Sequence, residues 1–117
     1  MFRAKHLIIA TLFASLTTIT AAYAGDSPEE IKQRVGTGNP VAGKEKSTMC
    51  QGCHGEDGNS AAPNFPKLAG QYALYIQKQI REFKSGVRKD PIMSDMAATI
   101  TSEQDLLDIS AYFASQK

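Results

Sequence analysis

Two cysteines stand three positions apart and a histidine follows directly, in the run Cys50-Gln51-Gly52-Cys53-His54. This spacing is typical of covalent haem attachment, in which each cysteine adds across one vinyl group of the porphyrin and forms a thioether. The histidine that follows the second thiol then lies beneath the iron as its proximal axial ligand. The run therefore predicts one covalently attached haem c, held by Cys50, Cys53 and His54.

Other proteins use a Cys-x-x-Cys pair as a thioredoxin-type redox disulfide, as half of a zinc site or as a structural bridge. A four-ligand zinc site needs a second pair of cysteines or histidines. Cys50 and Cys53 are the only cysteines of the chain, and the one other histidine, His6, lies near its start. A thioredoxin-type motif belongs near a β-α-β pattern, and the sequence contains no convincing strand. The context therefore favours haem attachment.

The first 24 residues resemble a secretory signal peptide. Two basic residues precede an apolar stretch over residues 7–16, and Ala22-Tyr23-Ala24 supplies the small-x-small pattern of a cleavage site. A membrane anchor is the competing interpretation, but the stretch is shorter than the roughly 20 apolar residues of a spanning helix. We expect cleavage after Ala24, export to the periplasm and no stable membrane insertion.

Cleavage would leave 93 of the 117 residues, enough for one small domain. A core of that size usually needs a cofactor, a metal or disulfides to become stable, and haem would supply a large apolar face. Arg3 and Lys5 would leave with the signal, so 11 basic residues would face 12 acidic ones, a net charge of −1. This balance gives no support to nucleic-acid binding.

The second axial ligand of the iron is predicted by elimination. No second histidine remains after cleavage, so the four methionines are the candidates. Met1 lies in the leader, and Met49 is too close to Cys50 to reach the opposite face of a haem. Met93 and Met96 remain, in a segment expected to be irregular and to lie across the distal side. Methionine ligation raises the reduction potential relative to a second histidine, although methionine also commonly fills gaps in a core.

The N-terminal half of the expected domain has one clear helix signal. Residues 25–38 form a polar extension, in which Gly36-Thr37-Gly38 interrupts any helix. Asn39 and Pro40 make a favourable N-cap and first-turn pair, so a helix is predicted over residues 40–50. Gly43 lowers the helix propensity of this segment, which indicates a close crossing by another helix.

The C-terminal half contains the strongest helical periodicity. Apolar residues recur every three or four positions over residues 71–85, and Gly86 ends the pattern. Thr101-x-x-Gln104 is a capping-box pattern and predicts the start of a last helix. The side chains expected to face the core are Tyr72, Tyr75, Ile76, Ile80 and Phe83 in the first of these helices and Leu106, Ile109, Tyr112 and Phe113 in the second.

A long stretch rich in turn residues joins the haem motif to the helix over residues 71–85. A loop of this length needs a surface to pack on, and a haem edge would provide one. Metal-bound histidines usually donate their second ring N–H to a nearby acceptor. We expect the carbonyl group of Pro63 to accept this hydrogen bond from His54.

From Gly43 to Phe113 the chain resembles the class I cytochromes c, especially single-haem domains of the cytochrome c4 and c553 type. The matching segments are the haem motif, residues 57–71, Met93-Ser94-Asp95-Met96 and Ala111-Tyr112-Phe113. The resemblance implies an all-α fold of three to five helices around one covalently bound haem, with the first and last helices crossing near Gly43 and Tyr112. It also favours Met93 over Met96 as the distal ligand and supports Pro63 as the partner of His54.

The resemblance and the ligands together indicate a periplasmic electron carrier that is not an enzyme. Its partners would be a donor and an acceptor protein, met briefly through small interfaces, and the chain itself would be a monomer or a weak homodimer. Two other functions remain open. One is an electron-entry subunit bound permanently to an enzyme, and the other is a haem sensor or peroxidase whose distal ligand is displaceable.

Overall fold

The computed structural model describes residues 25–117, so the predicted cleavage site after Ala24 lies outside the described residues. The regular elements of this range are all helical, which confirms the all-α prediction. They are α1 (Pro28–Val35), α2 (Pro40–Lys46), α3 (Thr48–His54), α4 (Ala73–Ser85), α5 (Pro91–Ala98) and α6 (Glu103–Ser115). Within residues 25–117, no helix combines the length and the hydropathy that crossing a bilayer requires.

Helices α2 and α6 cross in close contact, as the glycine in α2 predicts. A Cβ atom at Gly43 would lie 1.9 Å from the carbonyl oxygen of Asp108 and 2.8 Å from the Cβ of Tyr112. A Cβ atom at Gly38 would likewise lie 2.0 Å from the carbonyl oxygen of Leu107. Only glycine allows the two backbones to approach this closely, which offsets its cost in helix propensity.

A buried carboxylate holds this crossing together. The side chain of Asp108 is 3% exposed. It accepts hydrogen bonds from the backbone N–H of Asn39 at 2.8 Å, the Nζ of Lys46 at 2.6 Å and the Nε2 of Gln104 at 2.8 Å. The N–H of Asn39, followed by the ammonium of Lys46, lowers the pKa of Asp108 to about 2. The carboxylate therefore stays ionised and ties the start of α2 to the middle of α6.

The hydrophobic core lies where α4, α5 and α6 meet. Leu106, Ile109, Tyr112 and Phe113 are all buried, as predicted for the last helix. The core side of α4 comprises Ala73, Ile76, Ile80 and Phe83.

Two predicted core residues, Tyr72 and Tyr75, are instead half exposed, at 56% and 50%. Tyr72 is the N-cap of α4 and precedes the helix proper. The small side chain of Ala73, which is fully buried, sets the inward face of the helix. Tyr75 directly precedes the buried Ile76, about 100° around the helix from it, and therefore lies at the edge of that face.

Two predicted helices have different boundaries in the structure. The predicted helix over residues 40–50 is divided at Ser47, which is buried and whose Oγ donates to the carbonyl oxygen of Lys44 at 3.0 Å. Such local side-chain bonds compete with helix continuation. The last helix begins after Ser102, whose Oγ accepts from the N–H of Asp105 at 3.3 Å, so Thr101 is not the capping residue.

The segment predicted to be irregular is helix α5. The Oδ1 of Asp90 accepts from the N–H groups of Ile92 and Met93 at 2.9 and 2.8 Å, and Pro91 occupies the first helical position. An aspartate N-cap followed by proline is a helix-start signal, so the sequence contained the information that the prediction missed.

The polar extension also contains a helix, α1. The glycines at positions 36 and 38 were predicted to interrupt any helix here, but they only follow the end of α1. Ser27 and Glu30 form a capping box at its start, and Gly36, with φ 71°, follows its last residue. The Nε of Arg34 donates to the carbonyl oxygen of Ala114 at 2.9 Å, so α1 is fixed to the end of α6. With α1 added and the second helix divided, residues 25–117 contain six helices rather than three to five.

Candidate haem site

Helix α3 carries both thiols and ends on the histidine. Cys50 packs partly buried against the hydrophobic core, whereas Cys53 is exposed, and no disulfide joins the two. Burial raises the pKa of the Cys50 thiol. Gly55, with φ 88°, ends α3 directly after His54, so the two thiols and the imidazole come from one short helix.

The imidazole of His54 is buried and has a defined orientation. The residue is 5% exposed, and its Nδ1 lies 2.7 Å from the carbonyl oxygen of Pro66. The ring of Phe65 stands edge-on to it, with 6.5 Å between centroids and 67° between planes. A carbonyl oxygen can only accept, so Nδ1 carries the hydrogen and Nε2 is left free to bind a metal.

The acceptor is Pro66, and the prediction of Pro63 is wrong in this respect. Pro63 is exposed and lies within a reverse turn in which the N–H of Phe65 donates to the carbonyl oxygen of Ala62 at 3.1 Å. The chain reaches the imidazole only after this turn.

The segment that follows Pro66 is held in place by a buried glycine. The N–H groups of Leu68 and Ala69 both donate to the carbonyl oxygen of Gly58, at 2.8 and 3.1 Å. Gly58 has φ 80°, and a Cβ atom there would lie 2.8 Å from the ring of Phe113. These contacts fix the chain directly after Pro66, and only glycine allows the close approach at position 58.

Two cavities, of about 240 and 370 Å³, share four lining residues and form one continuous cleft. The shared residues are His54, Pro66, Arg88 and Met93. The larger cavity adjoins the thiols of Cys50 and Cys53. The smaller one runs along α4 past Ile76, Ile80 and Phe83.

Helix α5 brings both candidate methionines to the cleft, in different positions. Met93 lines both cavities and packs against the hydrophobic core, and it is partly buried. Met96 is also partly buried but lines only the larger cavity. His54 and Met93 therefore line both cavities of the cleft, whereas Met96 lines only the cavity beside the thiols.

The residues of the cleft fit a haem group. Its walls are largely aliphatic and aromatic, as a porphyrin face requires, and two thiols lie at one side. An imidazole with Nε2 free and methionine sulfur atoms are the nitrogen and sulfur donors that haem iron accepts. The sequence-predicted residues Cys50, Cys53, His54, Met93 and Met96 all line this cleft, and Pro63 does not.

Comparison with known proteins places the chain in a family. A family model described as "Cytochrome c" matches residues 40–117. Cytochrome c4 of Pseudomonas aeruginosa is 52% identical over 80 residues, which cover 68% of this chain and 39% of that protein. Cytochrome c-554(548) of Halomonas halodenitrificans is 40% identical over 83 residues, covering 68% of this chain and 99% of that protein.

A solved structure shows the same fold. The crystal structure of reduced recombinant cytochrome c4 from Pseudomonas stutzeri superposes with a TM-score of 0.64 at 48% identity, covering 69% of this chain and 47% of that one. The chain thus spans less than half the length of these two cytochrome c4 proteins, and nearly all of the cytochrome c-554(548). The chain belongs to the class I cytochrome c family, and its cofactor is haem c attached through Cys50 and Cys53.

Proposed function

We propose that this protein is an electron carrier that accepts one electron from a donor protein and passes it to an acceptor. Bound haem supplies the one-electron Fe(II)/Fe(III) couple. The observation that carries the proposal is the cleft itself, because the imidazole of His54 and the sulfur-bearing side chain of Met93 line the same two cavities. A carrier needs both axial positions filled by the protein, so that no substrate binds the metal.

His54 is proposed as the proximal ligand, bound through Nε2. Its hydrogen bond to the Pro66 carbonyl fixes the tautomer and increases the basicity of the ring. The edge contact with Phe65 restricts rotation of the imidazole. Burial of the ring keeps water away from the ligand nitrogen.

Met93 is proposed as the distal ligand, and Met96 is the alternative. Met93 is favoured because it faces both cavities and is anchored through its own backbone, whose N–H binds the N-cap Asp90. Met96 lies one helical turn further on and lines only the cavity beside the thiols. Methionine sulfur would give the protein a higher reduction potential than a second imidazole.

The side of the cleft at the thiols is suited to brief contact with redox partners. Met49 and Ile92 line the cavity there and are 56% and 53% exposed. Cys53 beside them is also exposed. An apolar edge of this kind can dock weakly on a partner and release it quickly.

We infer that export to the periplasm, with cleavage after Ala24, brings the protein to its donor and acceptor.

The proposal is tested by optical spectra and carbon monoxide binding of the purified holoprotein. The parent protein should show the weak near-infrared band of sulfur-to-iron charge transfer when oxidised, and its reduced form should bind little carbon monoxide at neutral pH. Met93→Ala should lose the band and bind carbon monoxide readily. Met96→Ala is the matched control and should keep both parental properties.

Two alternatives, a displaceable distal ligand and ligation by Met96, give different results in the same measurement. Ready carbon monoxide binding by the parent protein would contradict the carrier and favour a sensor or a peroxidase. Loss of the near-infrared band in Met96→Ala alone would assign the distal position to Met96 and contradict Met93.

A further inference from the structure

We infer that Arg88 binds a carboxylate of the bound cofactor and thereby raises its reduction potential. The inference deepens the proposed function and rests on it, because haem carries two propionate groups whose charge must be accommodated by the protein. It concerns the part of the cleft where the two cavities meet, because Arg88 lines both of them.

The cleft is chemically asymmetric along its length. Around the thiols its lining is mostly apolar, with Met49, Phe65 and Ile92. The smaller cavity, by contrast, has a set of polar and cationic side chains along α4 and its neighbouring loops. They are Lys67, Gln71, Tyr75 and Gln79, and Arg88 stands beside them where the two cavities meet. A cofactor fixed by thioethers at one edge would turn its opposite, carboxylate-bearing edge towards these groups.

Arg88 is held in place by three contacts. Its backbone N–H donates to the carbonyl oxygen of Glu82 at 3.1 Å, near the end of α4. Its guanidinium carbon lies 4.7 Å from the centre of the Phe83 ring, within the range of a cation–π contact. One of its terminal nitrogens also donates to the side-chain oxygen of Gln79. The side chain is therefore oriented at the cleft before any anion is bound.

This arginine has no acidic partner among residues 25–117. No carboxylate oxygen of that range lies within 4.0 Å of its guanidinium nitrogens, whereas Arg34 pairs with Asp26 and Arg81 with Glu103. The acid that shares its cavity, Asp90, caps α5 through Oδ1. Guanidinium has five N–H donors, so it can bind Gln79 and still offer two donors to a carboxylate.

The charge of Arg88 has a predictable effect on the redox equilibrium. Oxidation adds one positive charge to the iron, and a nearby cation makes that oxidation less favourable. Pairing with a carboxylate neutralises an anion that would otherwise stabilise the ferric state. Both effects favour the ferrous form, so removal of the cation should lower the potential.

The test compares Arg88→Gln with Arg81→Gln in the holoprotein. Both residues are exposed and both variants lose one positive charge, but only Arg88 lines the cleft. At the parent's midpoint potential, Arg88→Gln should lower the ferrous-to-ferric ratio by roughly threefold or more, and Arg81→Gln by much less. The low-frequency resonance Raman band of propionate bending should shift in Arg88→Gln and stay in place in Arg81→Gln.

Arg88→Lys provides a second variant that keeps the charge. It should retain most of the parental potential while shifting the Raman band, because an ammonium cannot reproduce two parallel N–H donors. The inference is overturned if the band of both Arg88 variants stays at the parental position, or if Arg88→Gln and Arg81→Gln change the potential equally. Failure of the proposed function would look different, since the parent protein would then lack a six-coordinate haem spectrum.

Discussion

At the scale of single residues, the orientation of a few polar atoms decides what the site can do. Nδ1 of His54 binds a backbone carbonyl, which leaves Nε2 as the only ring nitrogen available to a metal. The carboxylate of Asp108 orients the fold in a similar way. Its two oxygens accept hydrogen bonds from three donors, which belong to the N-cap of α2, to α2 itself and to α6. Both side chains are almost completely buried, so neither has water as an alternative partner.

Asp108→Asn should lower the free energy of unfolding at pH 7 by about 2 kcal/mol. Folding lowers the pKa of the Asp108 carboxyl from 3.8 to about 2, and a shift of this size corresponds to that free energy. A lowered pKa gives stability that is present above the unfolded value near 4 and is lost as the pH falls through the folded value near 2. Denaturant unfolding of the holoprotein at pH 7 and at steps down to pH 2 should therefore show the difference shrinking.

Asp105→Asn is the matched control, because Asp105 also binds Lys46, at 2.7 Å, but is 41% exposed. Exposed ion pairs contribute about 0–1 kcal/mol, so this variant should stay close to the parent protein. A loss in Asp108→Asn that is equal at pH 7 and pH 2 would show that shape, rather than ionisation, is responsible.

At the scale of helices, the crossing of α2 and α6 positions the site. Helix α2 leads through Ser47 directly into α3, which carries both thiols and His54. A displacement of α2 from α6 would therefore move the attachment residues relative to the cleft. Gly43 is the residue at which this displacement is easiest to impose.

Gly43→Ala should destabilise the protein by about 1–3 kcal/mol or more, because its Cβ would overlap the backbone of Asp108. Gly52→Ala, inside α3, is the control, since a Cβ there has no atom within 4 Å. Alanine is a better helix former than glycine by roughly 1 kcal/mol, so Gly52→Ala should be at least as stable as the parent protein. Thermal unfolding of the three holoproteins measures the difference, and equal losses in both variants would contradict the close crossing.

Helical features that depend on neighbouring residues could be predicted from the sequence. The close approach at Gly43 and the inward face of α6 follow from helix periodicity and from the special properties of glycine. Helix α5 is also indicated by local sequence, because Asp90 and Pro91 form a helix-start signal. Tyr72 and Tyr75 were placed wrongly, since periodicity does not distinguish the centre of a helix face from its edge.

Features that depend on the path of a loop could not be predicted. The choice between the carbonyl groups of Pro63 and Pro66 is decided by the reverse turn at Ala62 and by the amides that bind Gly58. The bonds to Gly58 join residues 10 and 11 positions apart, beyond the reach of a local pattern. The attachment residues Cys50, Cys53 and His54 were predictable because their chemistry requires only a short spacing on one helix.

At the scale of the whole molecule, one cofactor links otherwise separate parts of a small chain. The attachment residues come from α3, the packing surface from α4 and the proposed distal ligand from α5, and all of them meet at one cleft. Helix α6 contacts α1, α2 and α4 and thereby fixes their positions relative to one another. We conclude that the chain is folded around a haem bonded to it through sulfur.

Intact mass measurement of the exported protein under denaturing conditions, combined with a count of free thiols, tests this claim most directly. The protein should be made in a host that matures c-type cytochromes. We predict that the unfolded chain keeps the added mass of one haem and has no reactive thiol, because Cys50 and Cys53 both form thioethers. A chain of unmodified mass with two free thiols would contradict the account.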